Sequence, residues 1–380
     1  MKIWFDILTP KQVMFFKPAV NELKKTGHDI LCTSRNYREC IQLAKIKNLD
    51  LKIIGKHGGS LRYQKLRQSA HRTYLLSEII HKFNPDISVS YSSPEATRVA
   101  FGLGIHNISL NDSPHSYAVN KLSIPLTNRL LCPWIIPYKV WYPFGIQRSQ
   151  IIRYKALDPV AWLKNYQKKG NTRYELFGKD KLSKAWTILI RPTESAASYI
   201  SSINIRSNLA LMDGIVDTFH RTSNIIFLCR YQDQIVDFSK RYNGRAIVSK
   251  ETQDGLELIS LSDIFVGGGG TMSAEAALMG KPVISIAPIR FYINDYLLRM
   301  NLIHQVNERN ALIKLLTKFQ DKPQMRHSQQ ELAKKLVNEM EDPVKKLVDT
   351  INIILNKAMD RKNHARKPGR DPFTECSGQA

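Results

Sequence analysis

The stretch Asp263-Ile-Phe-Val-Gly-Gly-Gly-Gly-Thr-Met-Ser-Ala-Glu-Ala-Ala-Leu-Met-Gly-Lys-Pro-Val283 decides the reading of the fold. A short apolar run, Ile264 to Val266, enters four consecutive glycines, Gly267, Gly268, Gly269 and Gly270. A helical pattern follows and closes at Gly280, before Pro282. This is the pattern of a strand, a turn and a helix. Glycine lets a backbone approach a ligand closely and take positive φ. A helix start presents free N–H groups and a partial positive charge, which suits a diphosphate. Thr271 and Ser273 open that helix, and Glu275 lies one turn inside it, within reach of a ribose hydroxyl pair. A tight turn capped by Thr271 accounts for some of these residues without a ligand, but four glycines are more than a turn needs. The spacing is neither the dinucleotide fingerprint G-x-G-x-x-G nor a Walker A loop.

Outward from this segment the same alternation recurs. Towards the N-terminus, strand patterns fall at Trp186–Ile190, Asn224–Cys229 and Arg245–Val248, and Pro282–Ile286 follows the glycine helix. The first ~170 residues alternate likewise. Strands are predicted at Lys2–Leu8, His28–Cys32, Leu51–Ile54, Asp86–Ser90 and Asn107–Leu110. Helices are predicted at Val13–Lys25, Leu61–Phe83 and Pro94–Gly102. Short strands separated by helices indicate βαβ units and parallel sheets. Leu157 to Asp180 is polar, basic and without a clear period, which places a junction there. The expected organisation is therefore an N-terminal Rossmann-like domain over 1–165 and a second over 166–340. A C-terminal helix over 341–358 and a disordered basic tail over 359–380 would follow. Leu122 to Gly145, rich in Leu, Ile, Trp and broken by prolines, reads as a last core strand plus an aromatic connector. The alternative is an aromatic surface dipping into a lipid interface.

Composition sets the outer limits. Lys plus Arg number 56 against 33 Asp plus Glu over 380 residues, a formal charge of +23. An acidic solvating protein is excluded, and anionic partners are indicated: phosphates, nucleic acid or an anionic membrane. The five cysteines show no C-x₂-C spacing and no disulfide framework. A reducing cytoplasm fits that usage. No signal-peptide h-region opens the chain, and no run of about 18 apolar residues could span a bilayer as a simple helix. No helix-turn-helix, RRM or zinc-finger signature supports nucleic acid as the partner.

The segment Gly-Gly-Gly-Thr followed by x-x-x-Glu-Ala-Ala-Leu-x-Gly-Lys-Pro resembles the nucleotide-diphosphate-sugar site of GT-B proteins, such as UDP-GlcNAc 2-epimerase and the peptidoglycan transferase MurG. The whole chain resembles an archaeal family, "domain of unknown function 354". The resemblance rests on Trp4-Phe-Asp-Ile-Leu-Thr-Pro10, Lys56-His-Gly-Gly-Ser60, Ser92-Ser-Pro-Glu-Ala96, Asn111-Asp-Ser-Pro-His115 and the glycine run. It implies an α/β fold of two Rossmann-like domains facing across a cleft. It also implies a donor diphosphate on the glycines and a donor ribose on Glu275. Ser90-Tyr91-Ser92 and Leu110-Asn111-Asp112 stand where the epimerase carries His-Gly-Asp and Val-Glu-Ala-Gly. The epimerase acids are thus not reproduced in place.

Asn111-Asp112-Ser113-Pro114-His115 follows a strand, at the end where open α/β sheets bind ligands. Asp112 could orient a group or accept a proton, and His115 could act as base or phosphate donor. An Asx turn with a local histidine cap is the plainer alternative. Glu95 sits just past the preceding strand, as a catalytic acid or as a carboxylate complementing the helix dipole. Arg191 and Arg230 each follow a strand and are candidates for diphosphate charge. Lys56-His57-Gly58-Gly59-Ser60 precedes a helix on which Arg62, Lys65 and Arg72 share a face. That face suits a lipid-linked acceptor at an anionic surface, or is simply solvated.

The leading expectation is a metal-independent glycosyltransferase without a bound cofactor, using a UDP-sugar or other nucleotide-diphosphate sugar. No Asp-x-Asp metal motif is present. The alternatives are an epimerase or hydrolase of the same fold, and a non-catalytic basic protein binding membrane or nucleic acid.

Overall fold

The computed structural model describes residues 1–59, 61–168, 185–193, 202–250, 253–287 and 291–365. Ser60, the 169–180 part of the expected junction and the tail from 366 lie outside them.

Two parallel sheets form the molecule. The first contains β1 (Lys2–Asp6), β2 (Asp29–Asn36), β3 (Lys52–Lys56), β4 (Ile87–Ser90), β5 (His106–Leu110), β6 (Arg129–Pro133) and β7 (Ile151–Tyr154), in spatial order 3-2-1-4-5-6-7. The second contains β8 (Trp186–Arg191), β9 (Ser223–Phe227), β10 (Ile247–Val248), β11 (Ile264–Gly267), β12 (Val283–Ser285) and β13 (His304–Gln305), in order 10-9-8-11-12-13. Central strands of such sheets are covered on both faces, so they read as unbroken apolar runs. In β1, Ile3, Trp4 and Phe5 are all fully buried. The strand order reverses between β1 and β4, and again between β8 and β11. Ligands of open α/β sheets bind at such reversals, beyond the carboxyl ends of the strands.

In the first half the helices are α1 (Pro10–Lys25), α2 (Arg38–Ile46), α3 (Arg62–Phe83), α4 (Pro94–Gly102), α5 (Tyr117–Ser123) and the single turn α6 (Val160–Leu163). In the second half they are α7 (Ser202–Phe219), α8 (Gln232–Arg241), α9 (Gly255–Leu261), α10 (Thr271–Leu278), α11 (Tyr292–Arg299), α12 (Arg309–Asp321) and α13 (Pro323–Glu339). The last helix, α14 (Pro343–Ala365), returns to pack on α1, burying Val344, Leu347, Ile351 and Leu355. It runs seven residues past the expected end at 358, so 359–365 is helix rather than tail.

The segment 122–145 holds β6 and then short 3-10 turns at Tyr138–Val140 and Tyr142–Phe144. Ile136, Trp141 and Phe144 turn inward and pack with Ile124, Leu130 and Ile146 as a small core. The connector reading is the correct one. Trp141 and Phe144 are buried in that core, whereas Leu122 and Tyr142 stay exposed.

Candidate functional site

The carboxyl ends of both sheets open onto one cleft of about 570 Å³. On the second-domain side its floor is the glycine turn. β11 ends at Gly267, which pairs in register with Arg191 at the end of β8. Gly268 has no room for a side chain: a Cβ there would lie 2.4 Å from Thr193 Cα. Gly270 differs. Its φ of +92° belongs to the left-handed region, and among the described residues nothing lies within 4 Å of where its Cβ would be. It holds the N-cap position of α10, so Thr271 is the first helical residue rather than the cap. Gly268, Gly269, Gly270, Thr271 and Glu275 all line the cleft. Gly267 and Ser273 stand behind the turn, where Ser273 is fully buried and its Oγ would meet a Cβ on Gly267 at 2.4 Å.

Glu275 is buried, and its Oε1 accepts the indole N–H of Trp162 at 3.0 Å. Burial, only partly offset by that hydrogen bond, pushes its carboxyl up to about 7. Arg191 and Arg230 line the same side. Burial, and then the charge of Arg230, lower the proton affinity of Arg191. Glu39 of α2 reaches across from the first domain to offset this repulsion, 3.9 Å from Arg191 and 3.8 Å from Arg230. Arg38 and Lys250 also line the cleft. The result is a cationic wall beside a helix N-terminus, the arrangement that favours a diphosphate.

The opposite wall comes from the first domain. Lys11, in the first turn of α1, places its ammonium 2.5 Å from Asp112 and 2.6 Å from Asp158. It also donates to the Tyr91 hydroxyl at 2.7 Å. The hydroxyls of Tyr91 and Tyr154 both donate to Asp158. Burial opposes the charged form of Lys11, but the two carboxylates outweigh it and hold its proton more tightly than usual. Burial likewise opposes ionisation of Asp112, and Lys11 outweighs it, so that carboxyl falls below the ordinary range. His115 lies at the rim with its ring centroid 4.4 Å from that of Phe291. Burial lowers its proton affinity, which favours a neutral imidazole.

A sequence model described as "Protein of unknown function (DUF354)" matches residues 1–356. The chain belongs to this family. Within reach of the DUF354 chain is "Uncharacterized protein MJ0665" of Methanocaldococcus jannaschii, 29% identical over 316 residues, 82% of this chain and 90% of that protein. The fold is similar to UDP-GlcNAc 2-epimerase of Methanocaldococcus jannaschii, solved in complex with UDP-GlcNAc and UDP. The TM-score is 0.69 at 16% identity, covering 94% of this chain and 100% of that one. It is also similar to glycosyltransferase VinC, solved in complex with dTDP, with a TM-score of 0.59 at 10% identity, covering 94% and 100%. The DUF354 chain thus has the GT-B arrangement, two Rossmann-like domains across a cleft. At these identities the likeness is one of fold.

Two expectations for this DUF354 chain change with the structure. Glu95 does not line the cleft. It is buried beneath the cleft's first-domain wall, 3.9 Å from the Arg72 guanidinium and accepting from Ser93 Oγ. Arg72 is not part of a solvated basic face. It is 1% exposed, bonded to both oxygens of Asp6 at 2.6 and 3.1 Å and to the Ile54 carbonyl at 3.0 Å. Arg62 and Lys65, on the first turns of α3, stay exposed. Asp6 is consumed by the same cluster, accepting also from Thr33 and Ser93 at 2.7 Å. In place of Glu95, the cleft receives Asp158 and Lys11. Lys11 follows the visible signal Thr9-Pro10 at a helix start, whereas Asp158 stood inside the stretch taken as the junction. Among the described residues no helix is long and apolar enough to cross a membrane, and no group of three or more His, Cys, Asp or Glu is placed to hold a metal.

Proposed function

We propose that the chain is a glycosyltransferase that takes its sugar from a nucleotide-diphosphate donor. The observation that supports this most is the open glycine turn at the start of α10, flanked by Arg191 and Arg230 and facing a wall of polar side chains. The diphosphate would lie against the amides of Gly269 to Thr271, with the ribose at Glu275. When the bond from the anomeric carbon to the diphosphate oxygen breaks, its electron pair leaves with the diphosphate. The helix N-terminus and both arginines stabilise that charge without reorganising. A hydroxyl oxygen of the acceptor forms the new bond to the anomeric carbon, and its proton passes to His115. A neutral imidazole suits that step. Exposed Leu61, Tyr63 and Leu66 beside Arg62, Lys65 and Arg67 on α3 favour an acceptor presented at an anionic lipid surface.

The test is a thermal-shift screen with UDP, GDP, ADP and TDP. Binding at 100 times Kd stabilises by about 2.7 kcal/mol, and no shift with any of the four would remove the donor site. Incubating the preferred donor alone in D₂O separates transfer from epimerisation. An epimerase exchanges the sugar's C2 proton for deuterium without an acceptor, whereas a transferase leaves it in place.

A further inference from the structure

The first-domain wall carries an ion cluster that a helix periodicity or a motif does not announce. The Lys11 ammonium has three N–H bonds, and they go to Asp112, Asp158 and the Tyr91 hydroxyl. Asp158 is 1% exposed, and its oxygens accept from Lys11, Tyr91 and Tyr154. Asp112 is the outermost of the three, its side chain 18% exposed, accepting from Lys11 and from Ser113 Oγ at 2.9 Å. An ionised carboxylate has about four lone-pair positions, so Asp112 retains acceptor capacity toward the cleft. Lys11, by contrast, has no donor left for a ligand. One ammonium against two carboxylates leaves this wall a formal charge of −1, while Arg38, Arg191, Arg230 and Lys250 gather elsewhere along the cleft.

We propose that Lys11, Asp112 and Asp158 form a sugar subsite that accepts hydrogen bonds from the hydroxyls of a neutral hexosyl group and excludes sugars bearing a carboxylate. Asp112 is the group that touches the sugar. Lys11 and Asp158 are positioning residues: Asp158 anchors Lys11, and Lys11 keeps Asp112 ionised. The lysine looks like an anion receptor in sequence, but its N–H bonds are spent, so an acidic sugar meets the uncompensated carboxylate instead. This inference rests on the nucleotide-sugar reading above and adds a selectivity that reading does not contain.

The experiment measures calorimetric affinities of the full chain for three probes. They are the nucleoside diphosphate that shifts melting most, its neutral hexose conjugate and its hexuronate conjugate. The parent protein should bind the hexose conjugate at least about 10-fold more tightly than the hexuronate, the size expected of one unscreened charge near a protein surface. Asp112→Asn should weaken the hexose conjugate about 10- to 100-fold, as loss of a hydrogen bond to a charged group does, while the bare diphosphate keeps its affinity. Asp158→Asn retains the side-chain shape, brings the wall to neutrality and should narrow the hexose–hexuronate gap to about threefold or less. Equal binding of hexose and hexuronate by the parent overturns the proposal. So does an equal loss of the bare diphosphate in Asp112→Asn, which would put the wall in the nucleotide pocket. Failure of all four diphosphates to bind is a separate outcome: it sinks the donor site, and the sugar subsite with it.

Discussion

Two ion clusters stand within a few residues of each other at the end of β1, and they do opposite work. Asp6, Arg72 and Glu95 lie beneath the surface, with the guanidinium bidentate on Asp6 and the remaining oxygens satisfied by Thr33 and Ser93. Lys11, Asp112 and Asp158 use similar chemistry but open onto the cleft. In the first, one guanidinium also faces two carboxylates, but the fold supplies Asp6 with four donors and neither carboxylate lines the cleft. In the second, one carboxylate retains capacity for something outside it. Burial of the outermost member, rather than the presence of ion pairs, distinguishes a structural cluster from a binding one.

The largest effect that could break this comparison is on stability. Arg72→Met leaves Asp6 buried and uncompensated, and loss of one partner of a buried pair costs about 3–5 kcal/mol. Urea denaturation should show that loss, with Asp112→Asn clearly milder because Asp112 is the solvent-reached member of its cluster. If the two variants are equally destabilised, the distinction between the clusters collapses.

Glu275 sharpens the comparison, since it is a buried carboxylate whose hydrogen bond comes from a neutral indole. Asp6 and Asp112, beside cations, shift down, while Glu275 shifts up from 4.5 to about 7. The folded chain therefore holds a proton that the unfolded chain has released between those two values. Stability falls as pH rises across that window and is level above it. The change is on the order of 3 kcal/mol. Glu275→Gln, which preserves an acceptor for Trp162, should flatten this slope and exceed the parent's stability above pH 7. An unchanged slope would mean that another group carries it.

The glycine turn provides a smaller contrast of the same kind. Gly270, at φ +92° and ψ −168°, sits in a region that essentially only glycine populates, and holding another residue there costs about 1–3 kcal/mol. Gly270→Val should lose about that much stability yet abolish the thermal shift by nucleoside diphosphates, because its side chain enters the cleft. Gly268→Ala should instead lower the melting temperature much further, since its Cβ meets Thr193 backbone. Similar melting temperatures for both would contradict the division between packing glycine and ligand glycine.

The smallest effect concerns the exposed end of α3. With Arg72 removed from that face, Arg62 and Lys65 remain on it, and Arg67 is exposed on another side of the same helix end; each is worth about 1 kcal/mol near an anionic surface. Parent protein should sediment with anionic liposomes at low salt and release as salt rises. The triple substitution to Glu should abolish sedimentation with little change in melting temperature. If deletion from Arg361 onward alone removes binding, the helix face has no part in it.

Elements with a strong local pattern were legible in the residues. Strand–helix alternation, the glycine turn and the segment Asn111 to His115 at a strand end follow from hydrophobic periodicity and backbone freedom, which act over a few residues. So does the start of α4 at Pro94. Less legible were α2, β7 and the two-residue β13, whose short patterns carry little periodicity. The partners in the cleft depend on distance in space. Lys11 and Asp112 are 101 residues apart and Tyr91 and Asp158 are 67 apart, and they meet only because the sheet order sends β1, β4, β5 and β7 to one edge of one cleft. Arg72 shows the same limit from the other side. A period of 100° per residue correctly aligns it with Lys65, but it cannot say that α3 passes over Ile54 and Asp6 two turns later. Direction around a helix is a local property, and what lies in that direction is a tertiary one.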